Sequence, residues 1–209
     1  MGPRRLLFLA VALLILPGPA LRPAAPPPQE LMRPLRAAIL ASQPFRVDFT
    51  QQVYVDGELE MEESGVIVFA HRELIKWEYL DPESKIFILE GDRYRFYDRE
   101  NNQLLLGRVD ANGEQLIWEL LLAEQPGGAV RWDAASRTVF LSVPGQEEAQ
   151  QLQVLVGADF LPQRVEQASG NGLTTVYRFR DYRRRVALAA DEFDLHLPAG
   201  VDTVEEAQP

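Results

Sequence analysis

The chain has 209 residues, with 21 basic and 31 acidic side chains, a net charge of −10, 46% hydrophobic residues and no cysteine. Without thiols there can be no disulfides and no cysteine-borne acyl anchor, and the acidic balance works against binding to nucleic acid or to anionic lipid surfaces. The length suits one domain with a substantial core.

Arg4 and Arg5 precede an apolar stretch from Leu6 to Leu16, followed by Pro17, Gly18, Pro19 and Ala20. The stretch is too short to cross a bilayer and reads as a secretory signal over residues 1–25, cleaved after Ala20 or after Ala25. Its removal takes Arg4, Arg5 and Arg22 and no acid, so the mature charge becomes −13. Residues 26–209 are then the working domain, exported to the periplasm.

Leu31, Leu35, Ala38 and Ile39 recur at helical spacing between Gln29 and Ser42, and Pro44 stops that helix. From Phe45 the period changes to two: FRVDFTQQVYV, ESGVIVFA, ELIKWEYLDP and SKIFILEGDRYRFYD read as strands. Asp56–Gly57, Glu90–Gly91–Asp92 and Asn101–Asn102 mark tight connections, so these strands form sequential hairpins. Asn112 to Glu124, with Leu116, Ile117, Leu120 and Leu121 at threes and fours, predicts a second helix capped by Asn112 and ended by Gly127–Gly128. AVRWDA, RTVFLSV, LQVLVG, FLPQRVEQ and LTTVYRFRDY follow as strands, and the tail FDLHLPAGVDTV supplies a last one.

Ten or eleven strands with two helices make a mainly β, α+β chain whose large antiparallel sheet must curl. A sandwich, a closed barrel and an open half-barrel with helices over its concave face are the available solutions. The amphipathic helices suit the third, with the helices as a lid over a cavity, against an ordinary filled core.

The order of Phe45, Phe49–Thr50–Gln51, Gly65, Leu74, Trp77, Tyr79, Asp81–Pro82, Gly91, Phe96, Tyr97–Asp98 and Asn102–Gln103, closed by Phe193, Pro198 and Gly200–Val201–Asp202, resembles the periplasmic outer-membrane lipoprotein carrier family, LolA. The resemblance runs from about Phe45 to Val204. It implies an open barrel of about eleven strands whose apolar interior holds lipoprotein acyl chains. It also implies a monomeric shuttle between an inner-membrane lipoprotein-releasing ABC transporter and an outer-membrane acceptor, without stable membrane insertion. Candidate lining residues are Phe45, Val47, Phe49, Ile67, Phe69, Ile75, Trp77, Phe87, Leu89, Tyr94 and Phe96, with Leu116, Leu120 and Leu121 from the lid side. In the family an arginine followed by a proline precedes the LxxW strand and latches the lid. Here His71 and Arg72 stand at those two positions, and only His71 shares the side-chain parity of Trp77.

No catalytic constellation is present: there is no phosphate loop of the GxxxxGK[ST] type and no GxSxG elbow. The two histidines, His71 and His196, without cysteine, do not make a zinc site. No cofactor is expected. Glu58, Glu60, Glu62 and Glu63, and Glu147–Glu148, read as solvated acidic turns. The row Arg178, Arg180, Arg183, Arg184, Arg185 reads either as a docking patch or as an edge charge row that blocks aggregation. Carriage of another lipid or glycolipid, a lipid-sensing regulatory domain, and an enzyme are the competing readings.

Overall fold

The computed structural model describes residues 28–109, 117–124, 128–143, 150–169 and 171–206. The signal expected over 1–25, Asn112, Leu116, Gly127 and Glu147–Glu148 lie outside them. Helix α1 (Pro28–Ser42) leads into six strands: β1 (Phe45–Val55), β2 (Glu58–His71), β3 (Leu74–Asp81), β4 (Lys85–Glu90), β5 (Arg93–Asp98) and β6 (Gln103–Arg108). The short helix α2 (Ile117–Leu122) follows. Then come β7 (Ala129–Asp133), β8 (Thr138–Val143), β9 (Gln150–Val156), β10 (Pro162–Ala168), β11 (Leu173–Arg184) and β12 (Asp202–Glu205).

All twelve strands belong to one sheet in the order β12-β6-β5-β4-β3-β2-β1-β11-β10-β9-β8-β7. The order does not close on itself, so the sheet is open. Two hairpin series, β1 to β6 and β7 to β11, run as the turn signals predict, and they meet where β1 pairs with β11. That junction is the long-range step, with Phe49 opposite Phe179 and Phe45 opposite Arg184.

The tail departs from expectation. FDLHLP is not a strand; only Asp202–Glu205 is, and it pairs with β6 in parallel, making twelve strands where about eleven were expected. The reason lies in Glu192. Its carboxylate accepts from Lys76 at 2.9 Å and from Arg46, its carbonyl accepts a second bond from Lys76 at 2.8 Å, and Arg95 donates to the Phe193 carbonyl at 3.1 Å. These side chains sit on β1, β3 and β5, so the segment crosses the strands instead of running alongside one. It thereby covers the convex face, where Val68, Ile86, Ile88 and Tyr97 are buried.

On the concave face Phe45, Val47 and Phe49 of β1, Ile67 and Phe69 of β2, Ile75 of β3 and Leu89 of β4 gather into one core. It is completed by Met32, Leu35 and Ile39 of α1 and by Ile117, Trp118, Leu121 and Leu122 of α2. In α1 the buried set is Met32, Leu35 and Ile39, a cleaner three-and-four stripe than one starting at Leu31, which is only half-buried. Ser42 ends the helix by donating its hydroxyl to the Ala38 carbonyl at 2.8 Å.

Candidate functional site

The concave face changes character along its strands. At one end Phe45 stacks on Phe69 with centroids 4.8 Å apart, and the Trp118 indole packs against both, at 5.9 and 5.3 Å, and against Phe179 at 5.7 Å. This end is filled. Further along the same strands lies a cavity of about 270 Å³, lined by Glu63, Trp77, Tyr79, Lys85, Phe87, Phe96, Ile117, Tyr177 and Phe179. Its wall is apolar on one side, where Trp77 meets Phe87 edge to face at 6.0 Å, and polar on the other.

The polar side is built by strand parity. Glu63 stands two residues before Gly65 on the face that carries Ile67 and Phe69, and Lys85 stands two before Phe87. Glu63 is only 5% exposed, and its carboxylate lies 2.8 Å from the Lys85 ammonium, which also meets Glu83 at 2.9 Å. The hydrogen bond to Glu63 raises the Lys85 pKa above its ordinary value, against the opposing effect of burial. The Tyr79 hydroxyl donates to Gln51 Oε1 at 3.0 Å, and burial, then the nearby Tyr177 and Glu63, push its pKa up. Gly65 allows this crowding: a Cβ there would sit 2.0 Å from the Glu78 carbonyl oxygen, so β2 and β3 approach only because the side chain is missing.

Of the expected lining residues, Trp77, Phe87 and Phe96 face the cavity. Phe45, Val47, Phe49, Ile67, Phe69, Ile75, Leu89 and Leu121 are instead buried in the packed core beside it. Tyr94 is half-buried, stacked on Phe87 at 5.6 Å, its ring occupying the space that Gly107 leaves across the strand pair. Leu116 and the side chain of Leu120 lie outside the described residues. Glu63, Tyr79, Lys85, Ile117, Tyr177 and Phe179 were not among the expected lining residues, although the alternation through β2, β3, β4 and β11 already puts five of them on the inner face. Glu63 belongs to an acidic run, which disguised it as a turn residue.

Of the expected latch pair, Arg72 lies beside both helices, lining a pocket with Arg36 and Leu40 of α1 and with Leu122 and Glu124. His71 is exposed at the β2–β3 turn, where its Nδ1 accepts from the Glu73 amide at 3.3 Å, and Arg72 makes no hydrogen bond to either helix among the described residues. The cross-helix bond comes from α1: the Arg36 guanidinium donates to the Ala123 carbonyl, just past the end of α2, at 2.8 Å. A cation there also meets the negative end of the helix dipole. The indole Nε1 of Trp118 is buried without an acceptor among the described residues. The arginine row is largely paired, Arg178 with Gln52, Arg183 with Asp48 and Arg184 with Asp159, and it is not an edge row: β11 lies between β1 and β10 inside the sheet, so blocking an exposed edge is not its role. His196 is exposed on the segment between β11 and β12 that crosses the convex face, the strap.

Among the described residues no group of three or more His, Cys, Asp or Glu is placed to hold a metal ion, and no helix is long and apolar enough to cross a membrane. The family model "Outer membrane lipoprotein carrier protein LolA" matches residues 41–196. A carrier of that name from Pseudoalteromonas translucida is 19% identical over 179 residues, covering 83% of this chain and 86% of the relative. Another from Xanthomonas campestris pv. campestris is 23% identical over 174 residues, covering 77% and 81%. The crystal structure of an uncharacterized conserved protein from Thermus thermophilus shares the fold, with a TM-score of 0.55 at 16% identity over 85% of this chain and 98% of that one.

Proposed function

This chain belongs to the outer membrane lipoprotein carrier (LolA) family, and we propose that it carries lipoprotein acyl chains through the periplasm in the space between its sheet and its helices. The observation that carries this reading is the cavity of about 270 Å³ that runs on from an aromatic core closed by α2. Ligand pockets commonly span roughly 300–1,000 Å³, so the space as it stands admits part of one chain and cargo needs α2 to move.

Three features support α2 as a movable lid. Its described residues meet the rest of the core through the apolar side chains of Ile117, Trp118, Leu121 and Leu122, contacts that carry no directional bond. One guanidinium bond from Arg36 reaches across to the carbonyl after its last turn. Trp118 carries a buried unpaired N–H, a cost of about 1–3 kcal/mol, which leaves the closed arrangement short of its best possible stability.

Burying about fifteen methylenes at roughly 0.8 kcal/mol each gains on the order of 12 kcal/mol relative to water. Leaving a bilayer forfeits nearly the same amount, so loading and delivery turn on small differences between donor, carrier and acceptor. A lid held, among the described residues, by the Arg36 bond and a few apolar side chains suits that balance. In this reading residues 1–25 are an export signal, the donor is an inner-membrane ABC transporter, the acceptor lies on the outer membrane, and the chain works as a monomer without catalysis of its own.

Native mass spectrometry of the protein isolated from its host envelope is expected to show the chain with acyl-bearing molecules bound. A bare mass, together with failure of the delipidated protein to take up a purified acylated lipoprotein, overturns the reading.

A further inference from the structure

The wall of the cavity raises a question that acyl chains alone do not answer. Methylenes gain nothing from a buried ion pair, yet Glu63, 5% exposed, faces the space together with Lys85, 2.8 Å away. Taking two charges out of water is costly, and apolar residues of similar size would serve a purely greasy pocket as well or better. Around the pair the charges are unequal. Lys85 is met by Glu63 and Glu83, and Asp98 stands directly opposite it on β5, where the Lys85 charge lowers the Asp98 carboxylate pKa beneath the larger effect of hydrogen bonds from Asn101. One ammonium is therefore paired with two carboxylates, with a third across the strand pair, and of these groups Glu63 and Lys85 line the cavity.

We infer that this rim selects the head of the cargo: the cavity takes amphiphiles whose acyl chain ends in a neutral, hydrogen-bonding ester, amide or hydroxyl group, and turns away those with an anionic head. The inference rests on the carrier reading and deepens it. Glu63 has a second carboxylate oxygen to accept an amide N–H or hydroxyl, and the ammonium of Lys85 has a third donor for an ester or amide carbonyl. A phosphate or carboxylate placed here adds a like charge beside the buried Glu63, where repulsion is poorly screened, while Glu83 already offsets part of the Lys85 charge that would attract it.

The test uses probes with one C16 chain and different heads: 1-monopalmitoylglycerol, palmitate and palmitoyl-lysophosphatidylglycerol. Binding to the delipidated protein is followed at neutral pH and low salt by tryptophan fluorescence, since Trp77 lines the cavity. The wild type is expected to bind the monoglyceride about tenfold more tightly than either anion, a difference of about 1.4 kcal/mol. Glu63→Gln is expected to shrink that ratio to about threefold or less. The double change Glu63→Gln with Lys85→Met removes both charges, leaves no unpaired ion and is expected to bring the ratio near one. Equal binding of all three heads by the wild type, or an unchanged ratio in both variants at an unchanged melting temperature, overturns head selection while leaving the carrier reading standing. If no probe binds, the carrier reading falls first and this inference with it.

Discussion

The two ends of the concave face are built from the same strands and the same alternation, yet one is solid and the other hollow. At the Phe45–Phe69 end, α1 supplies Met32, Leu35 and Ile39, and α2 supplies Trp118, so every inward side chain meets a filler. At the Trp77–Phe96 end Ile117 is the one helix side chain among the described residues that reaches down, and the sheet contributes Glu63 and Lys85 where a core would have leucines. A strand's alternation decides which residues point inward; whether they make a core or a cavity depends on what is laid over them.

The sharpest way to break this contrast is to truncate one aromatic at each end. Phe69→Ala removes a fully buried ring from the stacked trio and is expected to cost about 3–5 kcal/mol in urea or thermal unfolding. Phe96→Ala, at the half-buried cavity wall, is expected to cost under about 1.5 kcal/mol, because the side chain already borders open space. Equal costs would mean that both ends are ordinary core. Gly65→Ala comes next. Its Cβ would meet the Glu78 carbonyl, a backbone atom that cannot swing aside, so β2 and β3 must part at a cost of about 3 kcal/mol. Because Gly65 separates the two ends, this change is expected to loosen the Glu63–Lys85 side first, visible as faster amide exchange in residues 58–64 than in 66–70.

How much of this was legible in advance follows from the range of each signal. The strands, their turns and α1 are local and periodic, so the pattern from Phe45 to Arg108 shows them directly. The meeting of β1 with β11 spans more than a hundred residues, and only the resemblance to a known family suggested the architecture that contains it. Trp77, Phe87 and Phe96 were legible as inward residues, but so were Phe45 and Phe69, and nothing in the alternation separates the pair inside the filled end from the three that border the cavity. Glu63 was read as a solvated turn residue and Lys85 was left out of the expected lining, because charge argues for solvent and only their parity argues otherwise. The strap was misread because Asp194 to Leu197 alternates like a strand, while the anchor at Glu192 that turns it across the sheet is a contact with Arg46 and Lys76, distant in the chain.

Arg36→Ala separates the two helices of the concave face. Losing one hydrogen bond from a charged donor removes about 1.5–3 kcal/mol locally, yet α1 keeps Met32, Leu35 and Ile39 in the core. Amide exchange over residues 117–122 is therefore expected to quicken about tenfold or more, with lipid uptake faster and the melting temperature nearly unchanged. His71→Ala and Arg72→Ala are expected to change neither rate. A reversed outcome returns the latch to the β2–β3 turn.

The smallest effect compares the two faces by pH. On the convex face, burial alone would raise the Glu192 pKa, but the bonds from Lys76 and Arg46 and their charges outweigh it and hold the carboxylate below its ordinary 4.5. A depressed carboxylate stabilises the fold above that ordinary value, and the contribution is lost as pH falls through the folded value. On the concave face Lys85 is raised above 10.5, so its contribution is full below that value and lost as pH climbs through the higher folded one. Acid is thus expected to free the strap through Glu192, and base to loosen the rim through Lys85. Limited proteolysis of residues 186–206 below pH 4 reads the first, with Glu192→Gln making cleavage independent of acid. Trp77 fluorescence above pH 11 reads the second, with Lys85→Met removing the transition. If acid leaves the strap protected, or if base leaves the Trp77 signal unmoved, the Glu192 or the Lys85 ion pair respectively does not hold its face together.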